Sequence, residues 1–284
     1  MYKKADFFIS DNNIISTRLF DIKELEKGFS IYEVIKISKG IPLFFENHLK
    51  RLHNSAKLKK VKINYGENEI KTQIYRLIDI NKINEGRLKF AVRFHKSGDK
   101  LIIFFLNPIS VSESEYKEGV KIISVQEERK NPNAKIINYK LRTYINNLIK
   151  NNDIFEVLLI NKNNYITECS KSNIFFVKEN NIYTPSSEDI LCGITRKYIL
   201  QICKKKNIKV NECKIKSEEI NSFDSVFITG TSIGILPVRQ IDNFTFDVKN
   251  KIIAELSREY NKITEKYISD RLSDNFQAIL RQKG

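Results

Sequence analysis

Two glycine-threonine segments of this sequence could bind an anionic group. Gly193-Ile194-Thr195 opens a stretch with the apolar period of a helix, and Gly230-Thr231-Ser232 follows the apolar run 226–228. The start of a helix presents backbone N–H groups and a partial positive charge, and a turn after a strand presents further amides and hydroxyls. An ordinary N-cap threonine and a plain strand-to-loop turn would use the same residues. The two segments therefore fit either an anion-binding role or a structural role at a helix start and a turn.

A guanidinium group lies beside the apolar stripe of the first predicted helix. Phe45, Leu49, Leu52 and Ala56 follow one another at helical spacing. Arg51 is displaced from Leu52 by about 100° around the helix axis, which places it next to this stripe. A partly buried guanidinium requires an anionic partner, whereas an arginine on an open surface does not.

The sequence lacks the motifs of metal sites, of disulfide frameworks and of P-loops. Its cysteines, Cys169, Cys192, Cys203 and Cys213, form no CxxC pair and have no histidine nearby. This spacing excludes a zinc site and a disulfide framework. No P-loop occurs. We expect reduced thiols and no metal.

The first half of the chain is predicted to form strands around two helices. Alternating apolar residues bounded by turn residues mark the hairpins, and a change to helical spacing after residue 45 marks the first helix. The predicted strands cover 7–9, 14–16, 31–37, 41–45, 88–95, 101–106 and 120–125, and the predicted helices cover 46–60 and 68–80.

A polar segment separates this half from the rest of the chain. The run EERKNPNAK over 127–135 has almost no apolar residue and contains the breaker Asn131-Pro132. We therefore predict a smaller domain over 1–128, a linker over 129–134 and a larger domain over 135–284.

In the larger domain the predicted helices cover 141–151, 195–205, a short segment from 217, and 249–269, and the strands cover 155–160, 173–177, 182–184, 208–213 and 226–228. This mixed order predicts an α+β or irregular α/β fold and not a doubly wound sheet.

Four separated segments carry further motifs. They are HLKRLHNSAK at 48–57, KLRTYINNLI from Lys140, YITECSKSNIFFV at 165–177 with LCGITR at 191–196, and FITGTSIGILPVRQID at 227–242. In this order they resemble the fold-type IV pyridoxal-phosphate enzymes, the class IV aminotransferase family. That family contains branched-chain aminotransferases, D-amino-acid aminotransferases and aminodeoxychorismate lyases. The resemblance implies a smaller N-terminal α+β domain, a larger pseudo-barrel-like domain, pyridoxal 5′-phosphate in the cleft between them, and a homodimer.

The resemblance also implies roles for a lysine and a glutamate. A lysine amine binds the cofactor as a Schiff base and moves the proton between substrate Cα and cofactor C4′. Lys140, unlike Lys135, opens the family-like helix after the linker. A carboxylate beside the pyridine nitrogen favours its protonated form, and Glu168 stands in the family spacing T-E-x-x-x-x-N-x-F. A solvated surface position is the alternative for each residue.

The same resemblance assigns further residues to the cofactor and the substrate. Tyr144, one helical turn after Lys140, would contact the cofactor's ring oxygen, although its spacing from the lysine is one residue shorter than in branched-chain aminotransferases. Tyr32 matches an aromatic position that faces the substrate, although an aromatic residue in an alternating strand usually belongs to the core. The implied cofactor residues are Arg51, Lys140, Tyr144, Glu168, Leu191, Gly193, Ile194, Thr195, Gly230 and Thr231, and the implied substrate residues are Tyr32, Thr231 and Ser232.

These motifs predict transamination between an L-amino acid and a 2-oxo acid, with branched-chain amino acids as one option. The segment 230–242 resembles the GT-x-x-x-x-x-PVR-x-x-D pattern of branched-chain aminotransferases. Three alternatives share the cofactor residues: a D-amino-acid aminotransferase, an aminodeoxychorismate lyase, and a cofactor-binding relative without turnover.

The formal charge of +15 raises the further alternative of a nucleic-acid-binding protein. Of the 49 basic residues, however, 37 are lysines scattered along the chain, which argues against a selected guanidinium patch. We therefore expect no specific nucleic-acid binding. No run of about eighteen apolar residues and no secretory signal is visible, so we expect a cytoplasmic protein that makes no membrane contact.

Overall fold

The computed structural model of this protein describes residues 2 and 4–283, with side chains described up to Asp274. Its contacts divide the chain into two compact units. Unit 1 comprises Met1–Ile109, Ala134–Ile137 and Asn261–Gly284, and unit 2 comprises Ser110–Asn133 and Asn138–Tyr260. The domain boundaries at residues 128 and 135 stay a prediction. The outer ends of those predicted domains, Met1 and Gly284, lie outside the described residues.

Unit 1 contains a six-stranded sheet of order β2-β1-β6-β5-β3-β4 in which all neighbours are antiparallel. Its strands are β1 (Phe7–Ser10), β2 (Asn13–Ser16), β3 (Phe29–Ser38), β4 (Ile41–Pro42), β5 (Gly86–Phe94) and β6 (Lys100–Leu106). The helices of this part are α1 (Phe45–Leu58) and α2 (Glu67–Asn81), with short 3-10 helices at Thr17–Leu19 and Ile22–Glu26.

Alternation along β3 explains how unit 1 packs. Ile31, Ile35 and Ile37 lie on one face of the strand and share a buried cluster with Leu49 and Leu52 of α1. Burial of each such side chain contributes about 1.5–3 kcal/mol to stability. The apolar stripe that the sequence predicts on the helix after residue 45 therefore packs against the sheet.

Unit 2 contains a mixed sheet of order β12-β11-β10-β14-β15-β7-β8-β9-β13, with β16 paired to β15. Its strands are β7 (Val120–Gln126), β8 (Glu156–Ile160), β9 (Tyr165–Cys169), β10 (Asn173–Lys178), β11 (Asn181–Pro185), β12 (Val210–Cys213), β13 (Ile215–Lys216), β14 (Ser225–Gly230), β15 (Gly234–Ile241) and β16 (Phe244–Thr245). Pairs β7–β8, β7–β15 and β11–β12 are parallel, and the other pairs are antiparallel. Two sheets with helices confirm the mixed α+β prediction.

Four further helices complete the described chain: α3 (Glu113–Glu118), α4 (Tyr139–Asn152), α5 (Ile194–Lys205) and α6 (Lys251–Lys283), with a 3-10 helix at Ser217–Ser222. No helix among residues 2 and 4–283 combines the length and the apolar character needed to cross a membrane.

Strand β15 is absent from the sequence prediction. Pro237 lies in it, and a proline normally argues against an interior strand because it cannot donate a ladder hydrogen bond. In the structure Pro237 is in register with Phe227 of β14, while β7 flanks the other side. The register between β15 and β7 shifts between Val238 and Gln240. The interior position of β15 is thus decided by its neighbours and not by its own composition.

Candidate active site

Glu168 is a buried carboxylate in unit 2. It lies on β9 and is 3% exposed, and its Oε1 is 3.2 Å from Nη1 of Arg129. A buried carboxylate requires compensation by a cation or hydrogen bonds, and Arg129 supplies part of it. Arg129 falls in the predicted linker, where an arginine in a polar run carries no signal that distinguishes it.

A second buried carboxylate organises the turn after Glu168. Glu156 accepts hydrogen bonds from Ser170 Oγ at 2.6 Å, from the Lys171 amide at 3.1 Å and from Ser172 Oγ at 3.3 Å. These contacts determine the path of the chain between β9 and β10. The sequence offers one signal for the burial of Glu156: it is the single charged residue in the otherwise apolar run EVLLI.

Helix α5 begins in the way that anion binding requires. Its N-cap is Gly193, which provides no side-chain cap, and the first amides of a helix have no acceptor within the helix. The backbone N–H groups of Ile194 and Thr195 are in this first turn. Thr195 Oγ1 itself lies 3.3 Å from the hydroxyl of buried Tyr260. The amides, more than the threonine hydroxyl, are therefore the donors that this end of α5 can offer.

The second glycine-threonine segment lies at the end of β14. Gly230 is the last residue of the strand, and the turn that follows carries the half-exposed Thr231 and Ser232. Beside them, Thr229 Oγ1 is buried and has no hydrogen-bond partner among the described residues. A buried hydroxyl without a partner is unusual and is consistent with a polar ligand that would satisfy it.

Three of these segments meet in unit 2. Asn173 of β10 donates through Nδ2 to the Leu191 carbonyl at 2.9 Å, just before α5, and it is in register with Thr229 of β14. The Lys171 carbonyl lies 3.6 Å from where a Cβ on Gly230 would be. The turn that follows Glu168, the start of α5 and the end of β14 therefore lie side by side. A carboxylate on one segment and first-turn amides on the next fit a phosphorylated pyridine such as pyridoxal phosphate.

Lys140 and Tyr144 lie on α4 in the same unit. The helix begins at Tyr139, two residues earlier than predicted, so Lys140 is in its first turn. Asn138 caps this turn by accepting from the Leu141 amide at 3.1 Å. Lys140 is exposed, and Tyr144, one turn later, is 45% exposed. Both side chains are accessible to a ligand, and their predicted roles stay predictions.

Arg51 has an anionic partner within unit 1. Its Nε lies 2.8 Å from Glu33 Oε1 and its Nη2 lies 2.6 Å from Glu33 Oε2. Glu33 stands on the face of β3 that α1 covers and is fully buried, and His48 Nδ1 lies 2.8 Å from the same carboxylate. The requirement for an anion is thus met by Glu33, and the phosphate contact of Arg51 stays a prediction.

Electrostatics explain how this buried cluster is tolerated. Burial raises the pKa of Glu33. The charge and hydrogen bonds of Arg51 and the hydrogen bond of His48 together outweigh this effect and lower the pKa to about 2. Burial lowers the pKa of His48, so at neutral pH a neutral His48 donates to an ionised Glu33.

Tyr32 lies on the opposite face of β3 and contacts two lysines. The Nζ of Lys89 is 4.7 Å and the Nζ of Lys135 is 4.9 Å from the centre of its ring. The backbone of Lys135 is held in unit 1 as well, since its amide donates to Ser55 Oγ at 3.1 Å and its carbonyl accepts from the Tyr32 amide at 3.0 Å. The structure thus separates the two candidate lysines: Lys135 belongs to unit 1 and Lys140 to unit 2. The substrate contact of Tyr32 stays a prediction.

Among the described side chains no group of three or more histidine, cysteine, aspartate and glutamate residues could hold a metal ion. Of the cysteines, Cys169 and Cys203 are buried free thiols, and burial raises the pKa of each. Neither observation adds a catalytic group to the site in unit 2.

Comparison with known proteins gives consistent matches. The family model described as amino-transferase class IV matches residues 30–241. D-alanine aminotransferase of Bacillus licheniformis is 33% identical over 229 residues, covering 77% of this chain and 81% of that protein. The Escherichia coli branched-chain amino acid aminotransferase has a TM-score of 0.81 at 20% identity, covering 92% of this chain and 95% of its own. A Legionella pneumophila protein described as a 4-amino-4-deoxychorismate lyase has a TM-score of 0.75 at 26% identity, covering 86% and 94%.

Proposed function

Because this chain belongs to the class IV aminotransferase family, we propose that it is a transaminase that moves an amino group between an amino acid and a 2-oxo acid. The family depends on pyridoxal 5′-phosphate. The observation that supports the proposal best is the convergence in unit 2 of buried Glu168, the first-turn amides of α5 and the turn after β14.

Each part of this site would have a separate task. When bound, pyridoxal phosphate supplies an electron sink for the electron pair released at substrate Cα. The amides of Ile194 and Thr195 and the turn at Gly230 bind the phosphate. Glu168 holds a proton at the pyridine nitrogen, and Arg129 keeps its carboxylate oriented. The amine of Lys140 would move the proton between substrate Cα and cofactor C4′.

Three substrate classes are candidates for this site. L-branched-chain amino acids are our first candidate, because the segment 230–242 has the GT-x-x-x-x-x-PVR-x-x-D pattern. D-alanine is the second, because the Bacillus licheniformis relative at 33% identity is a D-alanine aminotransferase. Aminodeoxychorismate elimination is the third, supported by the Legionella pneumophila relative.

A half-reaction experiment tests the proposal. Incubation of the holoenzyme with an amino donor alone should convert the cofactor to its amine form, and a 2-oxo acid should restore the original spectrum, because both half-reactions use one carrier. L-leucine, L-valine and D-alanine are screened side by side by absorbance. Pyruvate release from aminodeoxychorismate, without a spectral change with any amino acid, would make the protein a lyase and refute transamination.

Replacement of Glu168 by Gln should lower kcat by about 10²–10³-fold, since it removes the charge that holds the proton at the pyridine nitrogen. Cofactor content should stay close to that of the unchanged enzyme because Lys140 and the phosphate donors remain. Steady-state kinetics measures kcat, and the cofactor absorbance measures cofactor content. Glu118→Gln, an exposed change at the end of α3, is the control. Unaltered turnover in Glu168→Gln would give Glu168 a purely structural role.

A further inference from the structure

Asn173 lies against the start of α5 in the candidate cofactor site. It is 4% exposed and begins β10, five residues after Glu168. Its Nδ2 donates to the Leu191 carbonyl at 2.9 Å, which fixes the chain two residues before the N-cap of α5. One side-chain amide thus links the start of β10 to the segment that leads into the helix that would bind the phosphate.

The other half of the Asn173 amide faces Gly193. If Gly193 carried a Cβ, that atom would lie well inside 3.0 Å of Asn173 Oδ1, which is closer than such atoms approach in proteins. The φ of Gly193 is −66°, an angle that any residue can adopt. The glycine is therefore needed for the close approach of Asn173 and not for its backbone conformation.

This contact has a consequence for the amides of α5. Gly193 is the N-cap, so its position sets the direction of the N–H groups of Ile194 and Thr195. Asn173 is also in register with Thr229, one residue before Gly230. Both sets of candidate phosphate donors thus lie near one residue, the start of α5 through its side chain and the end of β14 through its backbone. Donors held rigidly bind a ligand more tightly because less conformational freedom is lost on binding.

We propose that Asn173 is a positioning residue that holds the first-turn amides of α5 in place for the cofactor phosphate. The inference rests on the proposed function, since it takes pyridoxal phosphate as the ligand. A residue that only stabilised the fold would affect all ligands of the site alike. A residue that positions the phosphate donors should affect phosphorylated ligands selectively.

The test compares two ligands that differ only in the phosphate. Binding of pyridoxal phosphate and of pyridoxal to the cofactor-free enzyme is measured at equilibrium by absorbance. Asn173→Ala should weaken the binding of pyridoxal phosphate by about 10-fold or more, because the hydrogen bond that holds the start of α5 is lost. The binding of pyridoxal should weaken much less. Asn211→Ala is the matched control, because Asn211 Nδ2 also donates to a strand carbonyl of unit 2, that of Ile182 at 3.3 Å. Asn173→Ser provides the same comparison if the alanine variant does not fold.

A double-mutant cycle tests the contact itself. Gly193→Ala should strongly weaken the binding of pyridoxal phosphate when Asn173 is present. In the Asn173→Ala background it should weaken this binding much less, because the Oδ1 atom that would clash with the new Cβ is then absent. Additive effects, or equal losses for pyridoxal and pyridoxal phosphate, would overturn the positioning role while leaving the proposed function intact. Failure of the unchanged protein to bind pyridoxal phosphate would refute the proposed function and this inference with it.

Discussion

Replacement of Lys140 by Ala is expected to lower the rate of transamination by about 10⁴-fold or more, because the amine that moves the proton at substrate Cα is lost. The unchanged holoenzyme should be yellow, and hydride reduction should attach the cofactor covalently to the peptide that contains Lys140. Peptide mapping by mass spectrometry identifies the modified lysine. A small external amine such as methylamine should partly restore activity to Lys140→Ala, since it can supply the missing base.

Lys135 provides the matched control for this experiment. It is the neighbouring lysine, but it lies in unit 1 with its Nζ 4.9 Å from the Tyr32 ring. Lys135→Ala should keep the yellow colour and the covalent adduct. An adduct on Lys135, or full activity of Lys140→Ala, would contradict the assignment of Lys140.

Replacement of Arg51 by Ala should lower the free energy of unfolding by about 3–5 kcal/mol, because it leaves the buried charge of Glu33 without its main partner. Urea denaturation of the cofactor-free protein measures this loss apart from any effect on phosphate binding. Arg18→Ala, an exposed change in the same unit, should stay within about 0.5 kcal/mol of the unchanged protein. A loss as small as that of Arg18→Ala would show that the Arg51–Glu33 pair contributes little.

The same pair predicts a dependence of stability on pH. The pKa of Glu33 is lowered from 4.5 to about 2 in the folded protein, so its contribution is fully present above pH 4.5 and is lost as the pH falls toward 2. The unchanged protein should lose more stability over this window than Arg51→Ala, in which the pKa is no longer held down by the guanidinium. Identical acid profiles for the two proteins would contradict this account.

Local patterns in the sequence determine much of the secondary structure. The stripe through Leu49 and Leu52 predicts α1, and the start of α5 follows from Gly193 and the helical period after it. These predictions succeed because a helix is formed by hydrogen bonds and contacts within a few residues along the chain. The family is recognisable for a related reason, since each of its motifs is a short contiguous segment. The roles of the individual site residues, by contrast, stay predictions.

Partners distant in the sequence are decided only by the tertiary structure. Arg129 and Glu168 are 39 residues apart, and Asn173 and Leu191 are 18 apart. Glu33 and Arg51 each have an ordinary sequence context, yet the register of β3 and the face of α1 bury them together. A charged or amide side chain has no preferred partner at such distances along the chain. The sequence by itself therefore determined the family, the cofactor class and most of the local elements, although not β15. Only the path of the chain through the two sheets decided which anion Arg51 meets, which cation accompanies Glu168 and which side chain lies against Gly193.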